Sequence, residues 1–285
     1  MNTRIWPTLS LTALCAFGAV VLWPGGGAGA QEAPGGGPAE LLPDLDQVRP
    51  SGLQVQTVRT RRGTRFRLGF TSATDNGGTG PLLLEGRRRS GSLKMTVSQR
   101  VSLSDGTTGV RRDVGEFRYE PGGGHDHFHY QRFMRYELRR ASDFKRVVTD
   151  RKSGFCLRDA YVTKRSDFPL PGHPRDAVFT SFCGKHTPSL RTMREGISVG
   201  WGDVYKAYLE GQHLELNGLP AGRYLLVHRV NVKRRLKESD YTNNAASVLI
   251  RLRWPNGSRR QPALDVLARC PDSERCPAES PPAAP

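Results

Sequence analysis

Short runs in which apolar and polar residues alternate recur along this 285-residue chain. Phe66, Leu68 and Phe70 alternate with arginines, and the run 248–254 repeats the pattern near the other end. Because successive side chains of a β-strand point to opposite faces, this period is typical of strands with one buried face. Turn-forming clusters such as 75–78 separate the runs. We therefore predict an all-β fold, an antiparallel β-sandwich with long loops and little helix.

A helical period is not sustained over any long window of the sequence. The stretch Asp203–Leu209 is compatible with one helical turn, and this is the one place where we expect helix.

Three histidines stand at strict alternation in the stretch Gly122-Gly-Gly-His125-Asp126-His127-Phe128-His129. In a strand their imidazoles would share a face, and imidazole suits copper, zinc, iron or nickel. A straight strand would hold the outer two histidines about 13 Å apart, so one metal ion requires a bend, which the upstream glycines permit. We predict His125, His127 and His129 as metal ligands, with a His-rich surface strand as the alternative. The apolar residues of opposite parity are Tyr130, Met134, Tyr136 and Leu138.

The N-terminal stretch 1–30 has the features of an export signal. Arg4 provides the positive charge, Leu9–Trp23 the apolar segment, and Ala28-Gly29-Ala30 a cleavage site. The apolar segment is too short and too rich in glycine for a membrane span. We expect a secreted, extracytoplasmic protein without a transmembrane span.

Composition divides the remainder of the chain into three parts. Residues 31–40 are rich in Gly, Pro and Ala and are expected to form a disordered lead-in. Residues 41–255 contain the alternating runs and are expected to form the β domain. Residues 256–285 are basic and then Pro-rich, and we expect a C-terminal tail.

Four cysteines remain after the signal, and an even number in an exported chain indicates disulfides. Four cysteines allow three pairings, of which proximity favours Cys156–Cys183 and Cys270–Cys276. No C-x-x-C sequence is present, which disfavours a redox or zinc-ribbon role.

The formal net charge of +16 favours acidic partners such as an anionic wall or surface polymer. The arginines are scattered through the alternating runs, which is more typical of solvated strand faces than of a groove. Helix-turn-helix, zinc-finger and aromatic ribonucleoprotein patterns are all missing from the sequence, so we expect no specific nucleic acid partner.

Three further stretches point to a more specific function for the histidines. They are Arg151–Asp159, Gly202–Tyr208 and Glu238–Asn244. Together with the histidine stretch, and in this order, they resemble the catalytic domain of the lysyl oxidase family. The opening Leu42–Leu45 fits the start of that domain, and the resemblance covers about Leu41–Trp254. The run Ser-Asp-Tyr-Thr-Asn-Asn is the most distinctive of the four signatures.

The resemblance implies a copper amine oxidase that makes its own quinone cofactor and uses O2. The three motif histidines would hold Cu(II). The enzyme would convert a primary amine, most naturally a protein lysine, to an aldehyde with release of ammonia and hydrogen peroxide. Free polyamines and small primary amines remain alternatives.

By motif position, the family's lysine tyrosylquinone would form from Lys152 and Tyr205. A tyrosine beside copper can be oxidised to a quinone, and a neutral lysine amine can then add to its ring. Burial suits a lysine for this role because it lowers the pKa of the amine. Tyr208 is the rival quinone precursor.

A carboxylate is the natural general base for removing a proton from the bound amine. Asp126, Asp203 and Asp240 all lie within the motifs, and the sequence leaves the choice among them open. The alternative for Asp240 is to brace a turn, which is the more frequent role of an Asp beside Tyr-Thr-Asn-Asn.

Two departures from the animal pattern simplify the expected disulfides. Gly124 stands where animal members have a cysteine before the first ligand, and a second cysteine soon after Leu157 is missing.

Two other functions compete with the oxidase. One is a non-enzymatic exported β-sandwich that binds copper or an anionic surface polymer. The other is a zinc hydrolase with three histidine ligands and an open fourth position.

Overall fold

The computed structural model describes residues 37–90, 92–122, 124–164 and 169–277. The predicted export signal and all but the last four residues of the predicted lead-in lie outside the described residues.

Every regular element in the described ranges is a β-strand, which confirms the all-β prediction. The strands are β1 Glu40–Leu41, β2 Leu45–Thr60, β3 Gly63–Asn76, β4 Leu82–Arg87, β5 Lys94–Leu103, β6 Thr108–Glu120, β7 His127–Gln131, β8 Met134–Arg140, β9 Arg146–Thr149, β10 Gly154–Phe155, β11 Tyr161–Val162, β12 Thr192–Ile197, β13 Trp201–Tyr205, β14 His213–Glu215, β15 Gly222–Val230, β16 Ala245–Arg253 and β17 Ala263–Cys270. No helix long and apolar enough to span a membrane occurs in this part of the chain.

The strands form three sheets whose pairings are antiparallel. The first has the order β10-β7-β6-β5-β4-β12, with β1 also paired to β5. The second has the order β11-β13-β3-β14, with β2 also paired to β3, and the third has the order β17-β16-β15-β8-β9. The histidine strand β7 and the short strand β10 therefore lie side by side at one edge of the first sheet.

The core forms where the alternating runs predicted it. Phe66, Leu68 and Phe70 on β3 are buried, and on β16 Val248 and Ile250 are buried while the arginines near its end are exposed. Full burial of an apolar side chain of this size contributes roughly 1.5–3 kcal/mol. The period-two pattern therefore indicates both the strands and the face that each strand buries.

The helical turn expected at Asp203–Leu209 is wrong. Gly202–Tyr205 pairs with Ser72–Asp75 of β3, and a turn follows this strand. The ladder satisfies the backbone groups that a helix would otherwise have to satisfy, so tertiary pairing overrides the weak local preference.

The apolar residues that follow the histidines belong to two strands in different sheets. Strand β7 ends at Gln131 and β8 begins at Met134. Between them Arg132 has a positive φ of 64° and donates its backbone N–H to Ser153 O at 2.6 Å. A left-handed residue interrupts a strand, so the chain passes from the first sheet to the third at this point.

Part of the segment that composition marks as a tail is folded. Strand β17 pairs with β16, with Leu264 opposite Leu252. Farther on, Arg229 donates to Glu137 Oε2 and to Glu274 Oε2, each at 2.7 Å, and so ties the end of the described chain to the third sheet.

Both expected disulfides are present, Cys156–Cys183 and Cys270–Cys276. The first spans 27 positions in sequence and the second spans 6. The longer bridge ties the segment after β10 to the segment that precedes β12.

Replacing Cys156 and Cys183 by serine is expected to lower the free energy of unfolding by roughly 3 kcal/mol, because the longer loop restricts the unfolded chain more. The matched change at Cys270 and Cys276 should cost less, roughly 2 kcal/mol. Urea unfolding followed by far-UV circular dichroism measures both values. A larger loss from the Cys270–Cys276 pair would contradict this expectation.

Candidate active site

A tight turn before β7 folds the first histidine back towards the other two. Gly122 and Gly124 have positive φ values of 80° and 84°, and Asp126 has a φ of 44°. The N–H of His125 donates to Gly122 O at 3.0 Å, and the N–H of Gly122 donates to Asp126 Oδ1 at 2.8 Å. Glycine adopts these angles without steric cost, so the bend required by the histidine spacing is formed by local sequence.

The three imidazoles form one cluster. Ring centroids lie 4.3 Å apart for His127 and His129, 5.1 Å for His125 and His129, and 5.8 Å for His125 and His127. One ring nitrogen from each residue lies within 4.8 Å of the other two. Nitrogens bound to one tetrahedral metal at about 2 Å would lie about 3.3 Å apart, so small side-chain rotations would complete such a site.

Neighbouring groups engage one nitrogen of each ring. Nδ1 of His127 hydrogen-bonds the His125 carbonyl, and Nδ1 of His129 lies 3.0 Å from Glu120 Oε2. Nε2 of His125 lies 2.9 Å from Glu210 Oε2. A partner on one nitrogen fixes the tautomer and leaves the other nitrogen to bind a metal.

Burial keeps two of these rings neutral. It lowers the pKa of His127 to about 4 and also lowers the pKa of His129. The positive charge of neighbouring His129, when protonated, lowers the pKa of His127 further. A neutral imidazole has the lone pair that a metal needs, so the site is ready to coordinate at neutral pH.

Lys152 and Tyr205 meet beside this cluster. The Lys152 Nζ lies 5.2 Å from the centroid of the Tyr205 ring, and the Phe155 ring packs edge-on against the same tyrosine at 5.2 Å. Burial lowers the pKa of the Lys152 amine and raises the pKa of the Tyr205 phenol well above its ordinary value. The lysine amine thus faces an aromatic ring in a setting that favours its neutral, nucleophilic form.

The rival tyrosine lies elsewhere. Tyr208 is 81% exposed, on the turn that follows β13, whereas Tyr205 is 7% exposed and donates its hydroxyl to Cys156 O at 2.9 Å. Of the two tyrosines, the fold brings Tyr205 to Lys152.

The three aspartates have different surroundings. Asp126 braces the turn described above, and half-buried Asp240 accepts the backbone N–H and the hydroxyl of Thr242 at 2.7 and 2.8 Å. Asp203 is 2% exposed, and burial raises its pKa to about 7. Apart from the nearby Tyr205 hydroxyl, which lowers the pKa of Asp203 in part, its Oδ2 has no hydrogen-bond partner within the described ranges.

A cavity of about 370 Å³ leads to the site. Its lining includes Glu120, His125, Lys152, Glu210 and Glu215. Arg67 and Arg151 also line it, and Arg67 pairs with Glu215 at 2.8 Å. The mouth of the site is therefore acidic as well as basic, on a protein that is strongly basic as a whole.

Sequence reasoning did not identify Glu120 and Glu210 as neighbours of the histidines. Glu120 lies opposite His127 in the β6–β7 ladder, and Glu210 lies in the turn after β13. The glycine turn between Glu120 and the histidines was a usable signal, because a hairpin places the residues that flank its turn side by side.

Asp203 should make stability depend on pH. A carboxyl whose pKa is raised in the folded state contributes stability at low pH that is lost as pH rises through the folded pKa. Between pH 4 and pH 8 the wild type should therefore lose roughly 4 kcal/mol relative to Asp203→Asn, the value for a rise in pKa from about 4 to about 7. Denaturant unfolding at a series of pH values measures the difference. The variant Asp240→Asn, at a turn residue, is the control, and an Asp203→Asn curve that parallels it would contradict the assignment.

Comparisons with known proteins agree with the geometry. Residues 92–256 match the family model described as lysyl oxidase. Protein-lysine 6-oxidase from Sus scrofa is 31% identical over 154 residues, which is 54% of each chain. The human protein of that name is 31% identical over 54% of this chain and 32% of its own length, and human lysyl oxidase homolog 1 is 33% identical over 42% and 18%. The chain spans about half or less of the length of these relatives. With more than half of its residues matched by the family model, the chain belongs to the lysyl oxidase family.

Proposed function

We propose that this chain is a copper- and quinone-dependent amine oxidase that converts primary amines, with peptidyl lysine as the preferred class, to aldehydes. O2 would be the oxidant, and ammonia and hydrogen peroxide the other products. The observation that carries the proposal is the Lys152 amine, 5.2 Å from the centroid of the Tyr205 ring, beside a cluster of three histidines. The names of the relatives, protein-lysine 6-oxidase among them, support it.

The donor set fits copper. Three imidazoles from His125, His127 and His129 suit Cu(II), whereas the harder cations prefer oxygen ligands. When bound, copper would supply the redox chemistry for oxidising the Tyr205 phenol with O2, and lysine tyrosylquinone would supply the carbonyl that a primary amine attacks. The chain's own contribution is placement, electrostatics and exclusion of side reactions.

Lys152 is held where its amine can reach the tyrosine ring. Its Nζ lies 3.4 Å from Glu210 O and over the Phe155 and Tyr205 rings. The aromatic surroundings desolvate the amine, which favours the neutral form required for addition.

Asp203 is the group best placed to act as the general base. It is two residues from Tyr205 on β13, and apart from the Tyr205 hydroxyl its Oδ2 has no hydrogen-bond partner within the described part of the chain. A base is most effective when its pKa lies near the working pH, and burial brings the pKa of Asp203 to about 7. Asp126 and Asp240 already accept hydrogen bonds within their own turns.

Acidic residues at the cavity mouth would attract a cationic substrate to a protein that is basic overall. The repulsion from distant arginines is screened within about 8–10 Å in physiological salt. Inside that distance an incoming ammonium group meets Glu120, Glu210 and Glu215. A single extended lysine side chain is the kind of substrate that such an opening would admit.

Export of the protein is part of the proposal. The disulfides Cys156–Cys183 and Cys270–Cys276 are typical of an oxidising compartment, and they accord with the signal predicted at residues 1–30. The exposed arginines leave an anionic wall or surface polymer as the proposed environment of the protein.

Copper-loaded protein should contain a covalent Lys152–Tyr205 link. Tryptic digestion followed by mass spectrometry should yield one cross-linked peptide, because a modified Lys152 resists cleavage. Lys152→Ala and Tyr205→Phe should abolish the link, whereas the neighbouring variant Tyr208→Phe should retain it. Recovery of two free peptides from wild-type protein would favour the non-enzymatic metal-binding alternative.

Wild-type protein loaded with copper should release peroxide when a primary amine is added. If Asp203 is the base, the rate should rise with pH through about 7, because only the deprotonated carboxylate accepts a proton. Asp203→Asn should lower kcat by roughly 10²–10⁴-fold and remove this pH dependence. Asp240→Asn is the matched control. Zinc as the bound metal, with hydrolytic turnover instead of peroxide, would support the hydrolase alternative.

A further inference from the structure

Glu195 is a buried residue whose carboxyl group has no role in the proposed chemistry. A single peptide group connects this carboxyl, through hydrogen bonds, to the Tyr205 hydroxyl. Glu195, on strand β12, is 1% exposed. Its Oε2 accepts the backbone N–H of Leu157 at 3.0 Å. Its Oε1 is buried and has no hydrogen-bond partner in the residues described.

The N–H that Glu195 binds and the carbonyl that Tyr205 binds belong to the same peptide group. Leu157 N–H donates to Glu195 Oε2 on one side, and Cys156 O accepts from the Tyr205 hydroxyl at 2.9 Å on the other. Hydrogen bonds at the two ends of an amide polarise each other, so the Glu195 contact strengthens Cys156 O as an acceptor. The same contact fixes the orientation of the peptide plane.

This peptide group has no strand ladder to hold it. Strand β10 ends at Phe155, and the next strand, β11, begins at Tyr161. The Cys156–Cys183 disulfide anchors the side chain of Cys156 but leaves the peptide free to rotate about its neighbouring bonds. Among the described contacts, the side chains of Glu195 and Tyr205 are the groups that hold the two ends of this peptide group.

The buried surroundings of Glu195 disfavour the charged form of its carboxyl group. Burial raises its pKa well above the ordinary value, and the nearby Asp203 carboxylate raises it further, while the Leu157 hydrogen bond acts in the opposite direction. The other titratable groups that sense its charge are the phenols of Tyr130 and Tyr205. A buried polar group without adequate partners lowers the stability of a fold, so a role in the site would account for its presence.

We infer that Glu195 is a positioning residue for Tyr205: it holds the Cys156–Leu157 peptide so that the Cys156 carbonyl fixes the tyrosine hydroxyl beneath Lys152. The inference rests on the proposed function of Tyr205 as cofactor precursor. A fixed hydroxyl sets the face of the ring that the Lys152 amine meets, and small errors in placement between two reacting groups slow their reaction strongly.

Two variants of similar volume distinguish a hydrogen-bonding role of the Glu195 side chain from a role in packing alone. Glu195→Gln keeps an oxygen that accepts the Leu157 N–H, whereas Glu195→Met fills the same space without an acceptor. Leu252→Ala, in the buried face of β16, is a destabilised control outside the first sheet. Glu195→Asp, in which the carboxyl is withdrawn by one methylene, serves as the intermediate variant if Glu195→Met does not fold.

The first measurement needs no copper. In the copper-free full chain labelled with ¹³Cζ-tyrosine, the Tyr205 resonance is assigned by its loss in Tyr205→Phe and reports hydrogen bonding of its hydroxyl. We expect Glu195→Gln to leave the resonance in place. We expect Glu195→Met, or Glu195→Asp, to shift or broaden it, and Leu252→Ala to leave it unchanged despite a lower Tm.

The second measurement follows the growth of quinone absorbance after copper is added to each variant under O2. Formation should be at least tenfold slower in Glu195→Met and within twofold of wild type in Glu195→Gln. A Tyr205 resonance and a rate that are both unchanged in Glu195→Met or Glu195→Asp would overturn the inference. A wild-type protein that forms no quinone would instead overturn the proposed function, and the resonance would still decide the role of Glu195.

Discussion

The site depends on the pairing of β10 with β7, a ladder only two residues long. Gly154 lies opposite Gln131 and Phe155 opposite Tyr130, so the segment that follows Lys152 runs alongside the histidine strand. A side chain at position 154 would prevent the approach, because an added Cβ would lie 2.6 Å from the Cβ of His129. The pairing is short, but the Cys156–Cys183 disulfide holds the strand from its far end. The proposed metal ligands and the proposed cofactor precursor are thus brought together by one glycine and one covalent bridge.

Desolvation is the common cause of the site's chemical properties. It lowers the pKa values of His127, His129 and Lys152, and so favours the forms of the two imidazoles and the amine that carry a free lone pair. The same burial raises the pKa of Asp203 towards neutrality. Groups of opposite charge type are therefore all driven towards their neutral forms, which lowers the cost of placing them together in an apolar interior. A solvated arrangement of the same residues would favour the charged forms of both the lysine and the aspartate.

Much of the architecture could be predicted because it is encoded locally. Period-two alternation indicated the strands, and the spacing of four cysteines indicated both disulfides. The expected helical turn at Asp203–Leu209 failed because pairing with β3 decides the conformation there. The contact of Glu195 with the site depends on strand register across distant segments, which a single sequence does not reveal. The choice among three aspartates likewise required burial, a property of the fold and not of a motif.

The positions of Lys152 and Tyr205 have a topological consequence. The segment between them contains both Cys156 and Cys183, so a bond between the two side chains would enclose the disulfide loop within a larger ring. Two nested rings restrict the unfolded ensemble more than one does. A chain that completed this bond would be harder to unfold than its newly folded precursor. The bond can form only after folding has placed the Lys152 and Tyr205 side chains together. Only correctly folded molecules would therefore acquire this covalent link and the added stability.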